Sequence, residues 1–96
     1  MSCQVVVFHM TPGCAPCEEY IPRFKQIARP YQSRAEIRSV NLAKPNKNFS
    51  DLAIRFKVDA TPTTIVIDEN DRVRRRRVGA LSNEDVVKLL EFAAVH

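Results

Sequence analysis

The sequence has few of the residues that mark specialised architectures: it contains no tryptophan, two glycines and three cysteines in 96 residues. Glycine this scarce excludes a collagen-like chain. An odd number of cysteines does not fit the paired framework of a small secreted disulfide scaffold. With 45% hydrophobic and 27% charged residues, the composition is that of a single globular domain, which we place over residues 1–96.

Long hydrophobic runs are also missing. No stretch approaches the roughly 20 apolar residues that a membrane-spanning helix needs, and the run 5–8 is too short for the core of a signal peptide. We therefore expect a cytoplasmic protein that does not use the membrane. In that reducing compartment, paired cysteines are more often catalytic or metal-binding than structural.

The hydrophobic pattern and the turn residues predict the element order βαβαββα. The predicted strands cover residues 4–10, 36–42, 63–68 and 72–78, and the predicted helices cover residues 15–28, residues 49–56 and a last segment starting at Ser82. The last two strands should form a hairpin. Pro16 falls in the first turn of its helix, where a missing N–H costs little, whereas Pro22 should kink that helix. This order predicts an α/β domain with a mixed four-stranded sheet and helices on both faces.

Two cysteines lie where a buried strand is predicted to meet a helix. Cys14 and Cys17 are separated by Ala15 and Pro16, a spacing that lets two sulfurs bond within one helical turn. Cys14 falls at the helix N-terminus, where unpaired N–H groups and the helix dipole favour a thiolate. We therefore interpret Cys14 as a nucleophile that forms a mixed disulfide with a substrate, and Cys17 as the residue that resolves it.

Two other interpretations of the pair stay open. Zinc usually needs four ligands, and only Cys3, His9 and His96 remain as Cys or His candidates, at spacings that fit no familiar zinc motif. A pair of ordinary thiols is the third interpretation. The position between strand and helix favours redox chemistry over both, with no metal and no cofactor beyond a redox-active disulfide.

Four segments of the sequence resemble the thioredoxin superfamily, and they occur in the family's order. Residues 14–17 (CAPC) are similar to the family's CGPC, with Ala15 in place of glycine. Pro22 matches the proline that kinks the active-site helix of thioredoxins. Residues 60–63 (ATPT) resemble the family's cis-proline loop, and residues 78–82 (VGALS) resemble the stretch before the last helix of bacterial thioredoxins. The resemblance covers nearly the whole chain.

The resemblance implies a thioredoxin fold with a substrate groove beside the cysteines. Pro62 would be cis and pack against the cysteine pair, Thr61 would offer its backbone to an extended substrate, and Gly79 would flank the same groove. The other predicted substrate-binding residues adjoin the two cysteines: Gly13, Ala15 and Pro16.

The implied activity is that of a thiol–disulfide oxidoreductase, an enzyme that reduces protein disulfides by exchange at Cys14 and Cys17. Its expected partners are disulfide-containing proteins and, as electron donor, thioredoxin reductase or the glutathione system; we expect a monomer. A glutaredoxin-like, glutathione-dependent reductase is the alternative. Glutaredoxins usually have a basic residue before the cysteines and a Gly-Gly pair, whereas this chain has Gly13 and a lone Gly79.

The chain also departs from the family pattern. It resembles a shorter core without the first strand and helix of thioredoxins, and Gly13 replaces the tryptophan before the motif. The family's buried acid aligns with Phe8 and its buried lysine with Ser39, so the proton transfer that these charged groups assist has no assigned residue. His9 could serve there, or it could be a packed strand residue.

A run of arginines and a third cysteine are not explained by this chemistry. Residues 72–77 (RVRRRR) contain five arginines. We interpret them as a charged edge strand that blocks sheet-to-sheet pairing. The alternative is a binding module in which Arg72–Arg77 contacts an acidic partner; nucleic acid is disfavoured because the run has no interleaved aromatics. We interpret Cys3 as a spare thiol.

Overall fold

The computed structural model describes residues 3–44 and 46–96. The elements are β1 (Gln4–His9), α1 (Ala15–Ala28), β2 (Glu36–Asn41), α2 (Lys47–Arg55), β3 (Thr63–Ile67), β4 (Val73–Val78) and α3 (Asn83–Val95), with a 3₁₀ turn at Arg29–Tyr31. The predicted order βαβαββα is confirmed. The largest difference is the start of α2, which lies two residues before the prediction, because Asn46 Oδ1 accepts the Asn48 N–H at 2.9 Å and caps the helix earlier.

The four strands form one mixed sheet in the order β2-β1-β3-β4. β1 runs parallel to β2, as expected when a helix connects two strands. β1 is antiparallel to β3, and β3 and β4 form the predicted hairpin. This strand order places β1 in the interior of the sheet, between β2 and β3. The carboxyl end of β1 leads directly into the loop that contains the cysteines.

Alternate residues of β1 face two separate cores. Val5 and Val7 pack with α1 and α3, whose contributions include Phe24 and Leu90. Val6 and Phe8 face the opposite side of the sheet, where Phe56 follows α2. Helices thus cover both faces, as predicted. No helix in residues 3–44 or 46–96 is long and apolar enough to cross a bilayer.

Helix α1 contains two prolines. Pro16 lies in the first turn, where a helix has unpaired N–H groups in any case. Pro22 lies in the interior, and the helix continues past it to Ala28. Because Pro22 has no N–H, the carbonyl of Glu18 lacks its usual helical donor. The kink at this position stays a prediction.

The arginine run forms the exposed edge strand β4. On the α3 side, the Arg75 guanidinium lies 4.0 Å from the centre of the Phe92 ring and Arg77 pairs with Asp85 at 3.2 Å. On the other side, the Arg76 guanidinium donates to the carbonyl of Phe56. The arginines on each face of β4 thus contact a neighbouring part of the chain: α3 on one face and Phe56 on the other. This agrees with the edge-strand interpretation.

Candidate active site

The cysteine pair lies at the junction predicted from the sequence. Cys14 is the N-cap of α1, with extended backbone angles, and Cys17 lies in the first turn. Their sulfurs are joined in a disulfide, with 5.2 Å between the Cα atoms. The Cys17 N–H donates to Cys14 Sγ at 3.2 Å. The helix start therefore supplies a donor to the sulfur that would carry negative charge after reduction.

The two sulfurs differ in their access to solvent. Cys14 is half-buried, whereas Cys17 has 0% exposure. A substrate sulfur can therefore reach Cys14 but not Cys17. This asymmetry is compatible with the predicted roles of Cys14 as attacking residue and Cys17 as resolving residue, which stay predictions.

The loop before β3 lies against Cys14. The Thr61–Pro62 bond is cis, as the resemblance implies, and the Thr61 carbonyl oxygen is 3.7 Å from Cys14 Sγ. The Gly79 N–H donates to the Pro62 carbonyl at 2.8 Å, so the segment after β4 joins the same surface. Gly79 has φ +98°, a conformation that side chains disfavour. The structure thus brings Thr61, Pro62 and Gly79 beside Cys14; their contact with substrate stays a prediction.

The residues that flank the cysteines are exposed and uncharged. Gly13, Ala15 and Pro16 surround the half-buried Cys14 at the surface. Gly13 has φ +117°, which explains why a glycine rather than a bulky residue precedes the first cysteine. Their predicted role in substrate binding is compatible with this exposure.

Asn41 holds the loop that leads to the cysteines, a role that was not predicted from the sequence. Its Oδ1 accepts the Thr11 N–H at 3.1 Å, and its Nδ2 donates to the Thr11 carbonyl at 2.8 Å. The next bond, Thr11–Pro12, is also cis. Asn41 ends β2, which runs parallel to β1, so both strands end at the edge of the sheet that carries the cysteines. The one indication in the sequence was a polar residue near the end of the predicted strand 36–42.

His9 lies in the same groove as Cys17. With Cys17, Lys25 and Asn41 it lines an open groove of about 420 Å³. Its side chain is 7% exposed, and its Nδ1 is 2.9 Å from the Thr11 hydroxyl. Burial, reinforced by the positive charge of Lys25, lowers the pKa of His9. The uncharged form of the imidazole therefore predominates at neutral pH.

The two positions aligned with the family's charged pair carry no charge here. Phe8 is fully buried in the core on the α2 side, and Ser39 is exposed. Cys3 is buried in the opposite core, where burial raises the pKa of its thiol. Within residues 3–44 and 46–96, no three His, Cys, Asp or Glu side chains are grouped as metal ligands would be.

A bonded cysteine pair at a helix start, next to a cis-proline loop on a mixed four-stranded sheet, places this chain among proteins with the thioredoxin fold. The thioredoxin family model matches residues 1–92, and the chain belongs to that family. It is 31% identical to Thioredoxin-1 of Drosophila melanogaster over 90 residues, which cover 94% of this chain and 75% of that protein.

Two further comparisons agree with this assignment. Thiol-disulfide oxidoreductase ResA of Geobacillus thermodenitrificans is 30% identical over 97 residues, covering 81% of this chain. This chain spans only 56% of the length of that relative. Among solved structures, the germline-specific thioredoxin Deadhead of Drosophila melanogaster superimposes with a TM-score of 0.78 at 26% identity, covering 95% of this chain and 80% of that one.

Proposed function

We propose that this chain reduces disulfides in protein substrates, with Cys14 as the attacking residue and Cys17 as the resolving residue. The observation that carries the proposal is the difference in exposure within the bonded pair. Only Cys14 reaches the surface, while Cys17 has 0% exposure. A substrate can therefore form a mixed disulfide with one sulfur and not with the other.

The first step is attack by the Cys14 thiolate on a substrate disulfide. The helix N-terminus and the Cys17 N–H, 3.2 Å away, stabilise negative charge on Cys14 Sγ. A new bond forms between Cys14 and one substrate sulfur. The other substrate sulfur leaves with the bonding electron pair and takes up a proton.

The second step closes the disulfide that the structure contains. The Cys17 thiolate attacks Cys14 Sγ, and the bond between Cys14 and the substrate breaks. The substrate gains two electrons and leaves as a dithiol, while the cysteine pair is oxidised. A thioredoxin reductase or the glutathione system then returns two electrons, so the chain itself needs no cofactor. This direction requires a reducing compartment such as the cytoplasm.

The surroundings of Cys14 favour a protein substrate over free glutathione as the disulfide reduced. The flanking Gly13, Ala15 and Pro16 are exposed and uncharged. Glutathione carries two carboxylates, whose recognition is strongest with charged donors. An extended protein segment instead can pair with the backbone of Thr61, next to Cys14 Sγ.

The alternative of a binding module on Arg72–Arg77 has weaker support. Four of the five arginines have contacts within the chain: Arg74 with Asp68, Arg75 with Phe92, Arg76 with the Phe56 carbonyl and Arg77 with Asp85. Two of these contacts pair an arginine with a carboxylate, and the other two hold a guanidinium group against a ring or a backbone carbonyl of this chain. Such contacts within the chain are expected of an edge strand whose consecutive arginines point to both faces of the sheet.

Insulin reduction with dithiothreitol as donor tests the proposal. Cys14→Ser should abolish turnover, and Cys17→Ser should accumulate a mixed disulfide visible by mass spectrometry. Cys3→Ala is the matched control because Cys3 is buried in a core away from the groove, and it should keep full activity. Normal turnover by Cys14→Ser would exclude the mechanism.

The reduction potential of the pair tests the direction of transfer. A reductase should have a potential near that of thioredoxin, roughly −270 mV, whereas a strong oxidant such as DsbA lies at about −120 mV. Parallel assays should supply electrons from NADPH and thioredoxin reductase, or from glutathione with glutathione reductase. Faster turnover with glutathione would favour the glutaredoxin-like alternative.

A further inference from the structure

The resolving step needs a proton acceptor. Cys17 has 0% exposure, and burial in an apolar environment disfavours a thiolate. Only the thiolate attacks a disulfide, so the Cys17 proton must be removed before or during the attack. Any group that removes it must have access to the groove beside Cys17.

Three titratable side chains line that groove with Cys17 in the described part of the chain: His9, Glu18 and Lys25. Lys25 is exposed, and a lysine ammonium group has no lone pair to accept a proton. Glu18 is exposed to water, where a carboxylate is a weak base for a thiol. His9 is the remaining group, and an uncharged imidazole has the basicity that the step requires.

The ring of His9 is held in place by its neighbours. Nδ1 is 2.9 Å from Thr11 Oγ1, and Thr11 is fixed in turn by two hydrogen bonds to Asn41. When Nδ1 donates to that hydroxyl, Nε2 carries a free lone pair. Within residues 3–44 and 46–96, no fully buried side-chain nitrogen or oxygen lacks a partner. Nε2 has no hydrogen bond to these residues, so it must reach the solvent of the groove.

The surroundings of His9 favour its unprotonated form, which is the form that can accept a proton. Burial and Lys25 both lower its pKa. The other titratable group on α1 that faces the groove is Glu18, while β2 contributes the neutral Asn41. On the other neighbouring strand, β3 begins with the uncharged Thr63, which pairs with Phe8, the residue before His9. At pH 7 the unprotonated form of the imidazole therefore predominates.

We propose that His9 accepts the proton of Cys17 as the mixed disulfide is resolved, directly or through a water molecule in the groove. The inference rests on the proposed function. The Cys17 S–H bond breaks and its proton moves to Nε2. The sulfur then bonds to Cys14 Sγ, and the substrate sulfur leaves with the electron pair. The proton returns to the leaving thiolate or to solvent, so His9 ends the cycle uncharged.

Ellman's reagent (5,5′-dithiobis-2-nitrobenzoate) separates the two steps in a single turnover of the reduced protein. Attack by Cys14 releases a first coloured thiolate, and attack by Cys17 on the mixed disulfide releases a second one. The coloured thiolate needs no proton to leave, so the second phase reports the activation of Cys17. A missing first phase would contradict the proposed function itself. Where the first phase is fast, the rate of the second phase tests the role of His9 separately.

His9→Asn is the principal variant, because an asparagine amide can still donate to the Thr11 hydroxyl but is not a base. We expect the second phase at pH 7 to slow by about 100-fold, the lower end of general-base effects, with the first phase unchanged. Added imidazole should restore part of the rate. If His9→Asn does not fold, His9→Gln serves the same purpose. An unchanged second phase, or equal slowing of both phases, would overturn the proposal.

The pH profile provides a readout that a structural role would not affect. In the wild-type protein, the second phase should lose rate at acidic pH as His9 becomes protonated. Lys25→Gln removes a positive charge that lowers the His9 pKa, so the acidic limb should move to higher pH. Glu18→Gln should leave the limb in place or move it to lower pH. A loss of the second phase in Glu18→Gln but not in His9→Asn would assign the proton to Glu18 instead.

Discussion

The Tyr20 hydroxyl lies 2.9 Å from the Thr64 hydroxyl, and both side chains have 0% exposure. Tyr20 is three residues after Cys17 on α1, and Thr64 is two residues after Pro62 on β3. This buried hydrogen bond therefore ties together the two elements whose ends form the candidate site. It also explains two polar groups in a core where apolar packing is the rule.

Tyr20→Phe should destabilise the fold because it leaves the Thr64 hydroxyl buried without a partner. The expected loss is about 1–3 kcal/mol in the free energy of unfolding, which corresponds to a Tm decrease of several degrees in a domain of this size. Thermal denaturation followed by circular dichroism measures it. Adding Thr64→Val should recover part of the loss, because the orphaned hydroxyl is then removed.

Tyr31→Phe is the matched control for this prediction. The Tyr31 hydroxyl donates to Glu91, which is exposed, so water can replace the lost donor. We expect a smaller effect, below about 1 kcal/mol. Equal losses in the two variants, or no recovery in the double variant, would show that the Tyr20–Thr64 bond is not what holds α1 to β3.

The elements and the cysteine chemistry were predictable because their determinants are local. β3 is a run of buried β-branched residues, and Ser82, the predicted start of the last helix, caps α3 by accepting the Asp85 N–H. Cys14 and Cys17 follow a buried strand and begin a helix, which is sufficient to predict their proximity. The hairpin of β3 and β4 also followed from a turn between two strand patterns.

The groove beside Cys17 was not predictable because it depends on which face each β1 residue occupies. Adjacent residues of a strand face opposite sides of the sheet, but the continuous apolar run in β1 does not indicate which side Phe8 and His9 each face. The cis form of the Thr11–Pro12 bond and the hydrogen bonds of Asn41 depend on contacts between distant segments. Sequence patterns contain no such information.

The four arginines 74–77 should keep the sheet edge from pairing with another copy. β4 is an exposed edge strand without proline, and such edges pair readily unless charge prevents it. Replacing all four arginines with glutamine should therefore produce concentration-dependent self-association. Light scattering after size-exclusion chromatography measures the change, with a monomer expected for the wild-type protein.

A control is needed because this variant also reduces the net charge of +4 to zero, and low net charge by itself promotes association. The matched variant replaces four exposed basic residues outside β4 with glutamine: Arg29, Lys44, Lys47 and Lys88. It should stay monomeric at the same concentration. Similar association of both variants would attribute the effect to net charge rather than to the strand edge.

Ser82→Ala should weaken the start of α3, which packs against α1. The Ser82 hydroxyl accepts the Asp85 N–H at 3.2 Å, and loss of such a cap costs about 1 kcal/mol. Ser82→Gly should cost only a few tenths of a kcal/mol by the same rule. Urea denaturation of both variants measures the difference. A glycine variant less stable than the alanine variant would contradict a capping role.

The lowered pKa of His9 predicts how stability depends on pH. Because the folded protein holds His9 uncharged, the unfolded chain binds more protons at and below its ordinary pKa of about 6.5. Stability contributed by this group is therefore complete above that pH and decreases as the pH falls toward the lower pKa of the folded state. The lowered pKa values of Glu19 and Asp68 act only at more acidic pH, below about 4.3.

Urea denaturation midpoints of the oxidised protein between about pH 5 and pH 7 measure this effect, because only histidines ordinarily titrate there. In wild-type protein the midpoint should fall steadily below about pH 6.5. His9→Asn should have a nearly flat profile, although its midpoint at pH 7 will differ. His96→Gln removes the other histidine, at the exposed end of α3, and should retain the wild-type slope. A slope that survives in His9→Asn and disappears in His96→Gln would place the titrating group at the carboxyl terminus rather than beside Cys17.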